Sequence, residues 1–110
     1  MNEEPGKQET YGRRNNAGKL RYDLISPWAL EALAEVYTKG ADKYAERNWE
    51  KGLPLMDCFA SLMRHAWAWA RGEDLDPETG LHHMAHAMWN AAAIVHFWRR
   101  GRADLDNRHG

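Results

Sequence analysis

A single cysteine in 110 residues, Cys58, excludes an intramolecular disulfide, so the fold must be held by packing and hydrogen bonds alone. Cys58 sits among Met56, Phe59 and Leu62, where a buried, inert thiol is expected rather than a nucleophile. No run of 18 apolar residues and no charged-then-apolar leader occurs, which argues against a membrane span or secretion and points to a cytoplasmic protein. Charge of one sign is missing too. Fifteen basic residues against 16 acidic ones leave a formal net charge of -1, so no global field draws nucleic acid or anionic lipid, and no stable nucleic-acid or membrane partner is expected. No window alternates at period two, so no sheet is expected, and there is no internal repeat. Several catalytic signatures are also absent: "NNAGKLR" lacks the glycine spacing of a phosphate-binding loop and the Ser or Thr after its Lys, and there is no Gly-x-Ser-x-Gly, His-Glu-x-x-His or adjacent His-Asp pair.

What is present is tryptophan, six residues of it, in a chain whose 44% hydrophobic content is ordinary for one globular domain. Residues 1–18 are polar and read as a flexible N-terminal arm, 19–100 as the folded domain and 101–110 as a flexible tail. Ser26 and Pro27 open a first helix, roughly 27 to 46, whose apolar stripe runs through Trp28, Leu30, Leu33, Val36, Tyr37, Ala41 and Tyr44. Gly52 and Pro54 punctuate a loop. A second helix then carries Met56, Phe59, Leu62, Met63, Ala66, Trp67 and Ala70 to a stop at Gly72, and a third runs from about 79–81 to Arg99 or Arg100. The short connection makes helices two and three antiparallel neighbours. The expected architecture is therefore all-α: a small antiparallel bundle of three main helices with an extended N-terminal arm, completed by oligomerisation as a homodimer or homotetramer. The Trp count suggests that last step, because Trp67 and Trp69 lie about 200° apart on helix two and cannot both face one core.

The segment from Arg64 to Asn90, "RHAWAWARGEDLDPETGLHHMAHAMWN", concentrates four His and the acidic run Glu73, Asp74, Asp76 and Glu78 around one turn. On the third helix His83, His86 and Asn90 fall within about 60° of arc, apart from an apolar set of Leu81, Met84, Ala85, Met88, Ala92 and Val95. A solvated face is the plain reading of such a stripe, and an acidic cap on helix three that of the turn. A site is the alternative. Glu73, Asp76 and Glu78 are hard oxygen donors suited to Mg²⁺ or Mn²⁺, with His shifting the preference toward Mn²⁺ or Zn²⁺. His65, expected level with Asn90, joins His83 and His86 as candidate proton acceptors. Glu31, Glu35, Asp42 and Glu46 form another acidic stripe, read as solvated. Lys43-Tyr44 and Asn48-Trp49 combine a phosphate-binding charge, stacking rings and an amide, and Lys19 with Arg21 repeat the basic part of that logic.

Taken together, "GKLRYDLISPWALEALAEVYTKGADKYAERNWEKG" and "RHAWAWARGEDLDPETGLHHMAHAMWNA" resemble the small phage and prophage domain at the N-terminus of dATP/dGTP diphosphohydrolases, a family associated with MazG-like all-α nucleotide pyrophosphohydrolases. The resemblance covers about residues 13 to 98 and rests on the order Gly40-x-x-Lys43-Tyr44, Asn48-Trp49, Arg64-His65, Gly72-Glu73-x-x-Asp76-x-Glu78 and His83-x-x-His86-x-x-x-Asn90. It implies metal-dependent hydrolysis of a purine deoxynucleoside triphosphate to the monophosphate and pyrophosphate, in phage nucleotide-pool metabolism within the host cytoplasm. Under that reading Glu73, Asp76 and Glu78 hold Mg²⁺ or Mn²⁺, Zn²⁺ being less favoured. His65, His83 and His86 are catalytic, and Lys19, Arg21, Lys43, Tyr44, Asn48, Trp49, Arg64 and Asn90 bind the substrate. The chain departs from the MazG-like pattern in lacking a Glu-x-x-Glu on the preceding helix. Either the three His replace carboxylates or the site is arranged differently. The alternative from another class is a non-catalytic helical phage accessory protein with a His-rich metal site.

Overall fold

A computed structural model describes residues 12–109. It is all-helical, as expected: α1 spans Pro27–Lys43, α2 Leu55–Ala70 and α3 His83–Arg99, with short 3₁₀ turns at Tyr22–Leu24, Asn48–Lys51 and Ala103–Leu105. The expected N-terminal arm lies, for residues 1–11, outside the described residues. Residues 12–18 are exposed. Among the described residues no helix is long and apolar enough to cross a membrane.

Two of the three helices start for a local reason. Ser26 Oγ accepts the Ala29 amide at 3.2 Å and Pro27 occupies the first turn of α1. The His82 side chain caps α3, its Nδ1 accepting from the Met84 amide at 3.0 Å. Pro54 gives α2 no side-chain cap, and Asn107 supplies one from 51 residues away, its Oδ1 accepting the Met56 amide at 2.9 Å. The segment read as a flexible tail therefore folds back. Arg102 donates to the Lys51 carbonyl and Leu105 packs on the core. Gly52, at φ 126°, lies where a Cβ would come within 2.9 Å of the Arg102 guanidinium and 3.2 Å of Leu105, so a side chain would push that contact apart.

Packing is densest between α2 and α3, which run antiparallel, while α1 lies mainly against α3. At the end far from their connecting turn, Leu55 and Cys58 of α2 meet Ala93 and Phe97 of α3, with Trp49, Leu53, Trp89, Ile94 and Leu105 around them. Cys58 is buried, as expected. Two expectations about helix faces need correction. Of the α1 stripe only Val36 is buried, Trp28 remaining 80% exposed and Leu30 and Tyr44 open as well. On α3 the assignment holds only in part, since Ala85 of the expected apolar set is buried (2%). His83 (4% exposed), Asn90 (6%), Ala93 and Phe97 point inward, whereas Met88 and Val95 face out. A three-helix domain has too little apolar surface to fill every inward position, and polar side chains can occupy the inner face when they satisfy one another.

Candidate functional site

The inward polar stripe of α3 meets α2 at the end nearest the acidic turn. There His65 Nδ1 lies 2.9 Å from His83 Nδ1, and Asn90 Nδ2 donates to Ser61 Oγ at 3.2 Å and to the His86 carbonyl at 2.9 Å. His65 is thus level with His83 and His86, and Ser61, one turn earlier, is the residue opposite Asn90. The antiparallel register explains the shift.

Two hydrogen-bonded strings leave this junction. In the first, His83 Nε2 reaches Glu73 Oε1 at 2.6 Å, so the buried imidazole lies between His65 and a carboxylate. In the second, His86 Nε2 lies 2.7 Å from Thr79 Oγ1, and the Thr79 hydroxyl lies 3.0 Å from Asp76 Oδ2. A threonine has one proton to give; with Asp76 ionised it goes to the carboxylate, so Thr79 accepts from His86 Nε2–H. The rings of His65 and His86 stack with centroids 4.5 Å apart and planes 12° from parallel. Burial holds the pKa of both below the ordinary imidazole value, with further lowering of His65 by His86, while Asp76 pulls each the other way. Burial would raise the Asp76 carboxyl, yet hydrogen bonds from the Glu78 amide and the Thr79 hydroxyl, aided by His86 and His65, keep it below the usual carboxylate range. Ionised Asp76 beside neutral imidazoles is the resting state at neutral pH.

The acidic turn that makes this possible is built by its own backbone. Leu75 and His82 form an isolated antiparallel bridge, the Asp76 amide donates to the Leu81 carbonyl at 2.8 Å, and the His83 amide to the Asp74 carbonyl at 2.9 Å.

Beyond the junction an open cleft of about 1670 Å³ separates α2 and α3 from α1 and the connector after it. His65, His83, His86, Asp76, Glu78, Arg64, Asn90, Lys43, Tyr44, Asn48 and Trp49 all line it. Residues from α1, the connector, α2, the acidic turn and α3 thus converge in one space. Lys43 Nζ lies 3.9 Å from Glu78 and 5.1 Å from the centre of the Tyr44 ring. Trp49 is committed to an aromatic cluster, with ring centres 4.6 Å from His96, 5.8 Å from both Trp89 and Phe97, and 5.9 Å from Tyr37. It packs the core more than it offers a free stacking face. In the connector Ala45 (φ 155°) and Arg47 (φ 57°) hold left-handed conformations without being glycine, costing on the order of 1 kcal/mol each or more.

Lys19 and Arg21 are not brought to this cleft. Arg21 is exposed and forms a bidentate pair with Asp23, at 2.8 and 2.7 Å. The three carboxylates expected around a metal ion are also kept apart. Glu73 is turned to His83, Asp76 to Thr79 and Glu78 to Lys43, and among the described residues no three His, Cys, Asp or Glu side chains are placed to hold one ion. Both ring nitrogens of His83 are already engaged. This arrangement does not fit a divalent ion held by the protein alone. Thr79 and Ser61 were missed as supports of the site; Thr79 three residues after Asp76, and Ser61 four before His65 on the same helical face, were the available signals.

Fold and site together define a small all-α domain whose polar inner face, built of paired imidazoles and carboxylates, opens on a cleft that also carries cations. Comparison with known families places it further: residues 9–108 match the family described as dATP/dGTP diphosphohydrolase, N-terminal, and the chain belongs to that family. A relative from Salmonella phage PMBT28, named dATP/dGTP diphosphohydrolase, is 38% identical over 87 residues, which are 79% of this chain and 29% of the relative. The chain thus spans under a third of that protein's length. No solved structure matches.

Proposed function

We propose that the cleft binds a purine deoxynucleoside triphosphate as its divalent-metal complex and hydrolyses it to the monophosphate and pyrophosphate, as part of phage nucleotide metabolism. The observation that carries this reading is that both imidazoles of a hydrogen-bonded Glu73–His83–His65 string line the same cleft as the cations Lys43 and Arg64. Phosphoanhydride cleavage asks the protein mainly for positioning and charge neutralisation. Family membership and the name of the phage relative support the substrate class.

The charges of the cleft bear on the metal. Lys39, Lys43, Arg47 and Arg64 are balanced by Asp42, Glu46, Asp76 and Glu78, four against four, so the walls offer a bare triphosphate no net attraction. A triphosphate carrying Mg²⁺ or Mn²⁺ has about half of its charge neutralised and presents both signs to the walls. The ion therefore enters as part of the substrate. Lys43 and Arg64 take the phosphate oxygens, and the exposed Tyr44 ring, with Asn48 beside it, takes the base. Incubation with Mg²⁺ and each of the four deoxynucleoside triphosphates, followed by product analysis, tests this. Pyrophosphate release from dATP or dGTP is expected, with Lys43→Ala and Arg64→Ala raising KM. Release of orthophosphate would overturn cleavage between the α and β phosphates, and no turnover with any nucleotide would leave the second reading, a non-catalytic helical interaction module, which the exposed Trp28, Trp67 and Trp98 favour.

A further inference from the structure

Three imidazoles line the cleft, and their hydrogen bonds distinguish them. His83 is buried with both nitrogens engaged. His86 gives Nε2 to Thr79 and keeps only Nδ1, the nitrogen nearer its own backbone. His65 uses Nδ1 on His83, and its outer nitrogen, Nε2, has no hydrogen-bond partner among the described residues, on a ring that faces the cleft. We propose that His65 is the general base of the reaction, its Nε2 taking a proton from the attacking water, and that His83 and Glu73 are positioning residues that relay the resulting charge away. This rests on the hydrolytic reading above and adds to it the group that activates water.

Proton placement follows from the partners. An ionised Glu73 can only accept, so His83 Nε2 carries a proton, and a neutral His83 then has a bare Nδ1. The contact of 2.9 Å between the two Nδ1 atoms needs one proton, which His65 supplies. His65 is left with an open lone pair on Nε2. As the water oxygen bonds to the α-phosphorus, the bond from that phosphorus to the bridging oxygen breaks and pyrophosphate leaves with the electron pair. The water proton goes to His65 Nε2, the His65 Nδ1 proton crosses to His83 Nδ1, and His83 becomes an imidazolium hydrogen-bonded to Glu73. The string resets when the His83 Nδ1 proton returns to His65 Nδ1 and His65 Nε2 releases its proton to solvent. Burial, which keeps His65 neutral at physiological pH, agrees with this role.

Nitrogen-resolved NMR of the full 110-residue protein without nucleotide, at neutral pH, tests the string independently of turnover. His65 is expected as the Nδ1–H tautomer and His83 as Nε2–H, with a coupling across the Nδ1–Nδ1 hydrogen bond. A His65 protonated on Nε2 overturns the relay whatever the kinetics. With Mg²⁺ and dATP or dGTP, His65→Gln should lower kcat by on the order of 100-fold or more with little change in KM. Glu73→Gln, which still accepts from His83, should lower kcat and move the acid limb of the pH profile to lower pH, a shift that a purely structural role would not produce. The groups facing His65 are His83 and His86 from α3, Asp76 from the turn, Arg64 on α2 and, across the cleft, Lys43 of α1, so that limb reports the whole set. Wild-type kcat in His65→Gln defeats this assignment and leaves hydrolysis standing. Absence of hydrolysis in the wild type defeats the reading of the cleft, and the base assignment with it.

Discussion

Among individual residues, Asn90 and His83 carry the greatest structural risk. A buried polar group costs about 1–3 kcal/mol when its partner is lost, and both sit almost wholly inside. Neither is orphaned; among the described residues no buried side-chain nitrogen or oxygen lacks a hydrogen bond. The same satisfaction makes the domain sensitive to acid. His65 and His86 have folded pKa values depressed below the unfolded value of 6.5, so between the two values the unfolded chain binds more protons and stability rises with pH. Their contribution is fully present above pH 6.5 and is lost as pH falls through the folded values. Asp76, depressed from 3.8, adds a second loss at still lower pH. Thermal melting followed by circular dichroism should therefore show Tm falling as pH drops below 6.5. The drop should be smaller in His86→Gln, and a flat Tm between pH 7 and 5 would contradict the buried neutral state of these rings.

At the scale of elements, the capping of α2 by Asn107 ties the last described residues to the middle of the chain. Asn107→Ala removes an N-terminal cap acceptor and should cost about 1 kcal/mol in urea unfolding, the usual size for such a cap. An unchanged midpoint would show that the Asn107 cap contributes nothing to stability. The cap also marks a limit of sequence reading. Ser26-Pro27 announces α1 because capping there is local, and α3 could be placed within a few residues for similar reasons. Nothing near Pro54 announces a partner 51 positions on, so residues 101–109 read as a loose tail. The site was legible in composition and order, since one turn separates its residues on α2 and α3. Its geometry was not. Periodicity grouped His83, His86 and Asn90 correctly but could not tell which face of α3 turns inward, because that depends on α2 offering Ser61 and His65 as polar partners. Sequence shows Glu73, Asp76 and Glu78 as donors, and the fold adds that they contact an imidazole, a hydroxyl and a lysine respectively.

For the whole molecule, the outstanding feature is how much aromatic surface remains uncovered. Trp67 and Trp69, on different sides of α2, are both exposed, as are Trp28 and Trp98. Phe59, Met63 and Trp67 recur every four residues along α2 and so form one outward apolar stripe. Single exposed apolar residues are ordinary on a protein surface, but a continuous stripe is the kind of surface that associates. Lying outside the residues that line the cleft, the stripe can be covered without closing the site. A second copy of the chain is the partner this domain always has available, and a two-fold contact buries the same stripe twice. Sedimentation at micromolar concentration should therefore give a mass of two or four times 12.7 kDa, and Trp67→Glu should return it to one while leaving the helical circular dichroism unchanged. A 12.7 kDa species in the wild type, with or without a bound nucleoside triphosphate, would rule out self-association through α2 and leave the stripe as a surface for a different chain.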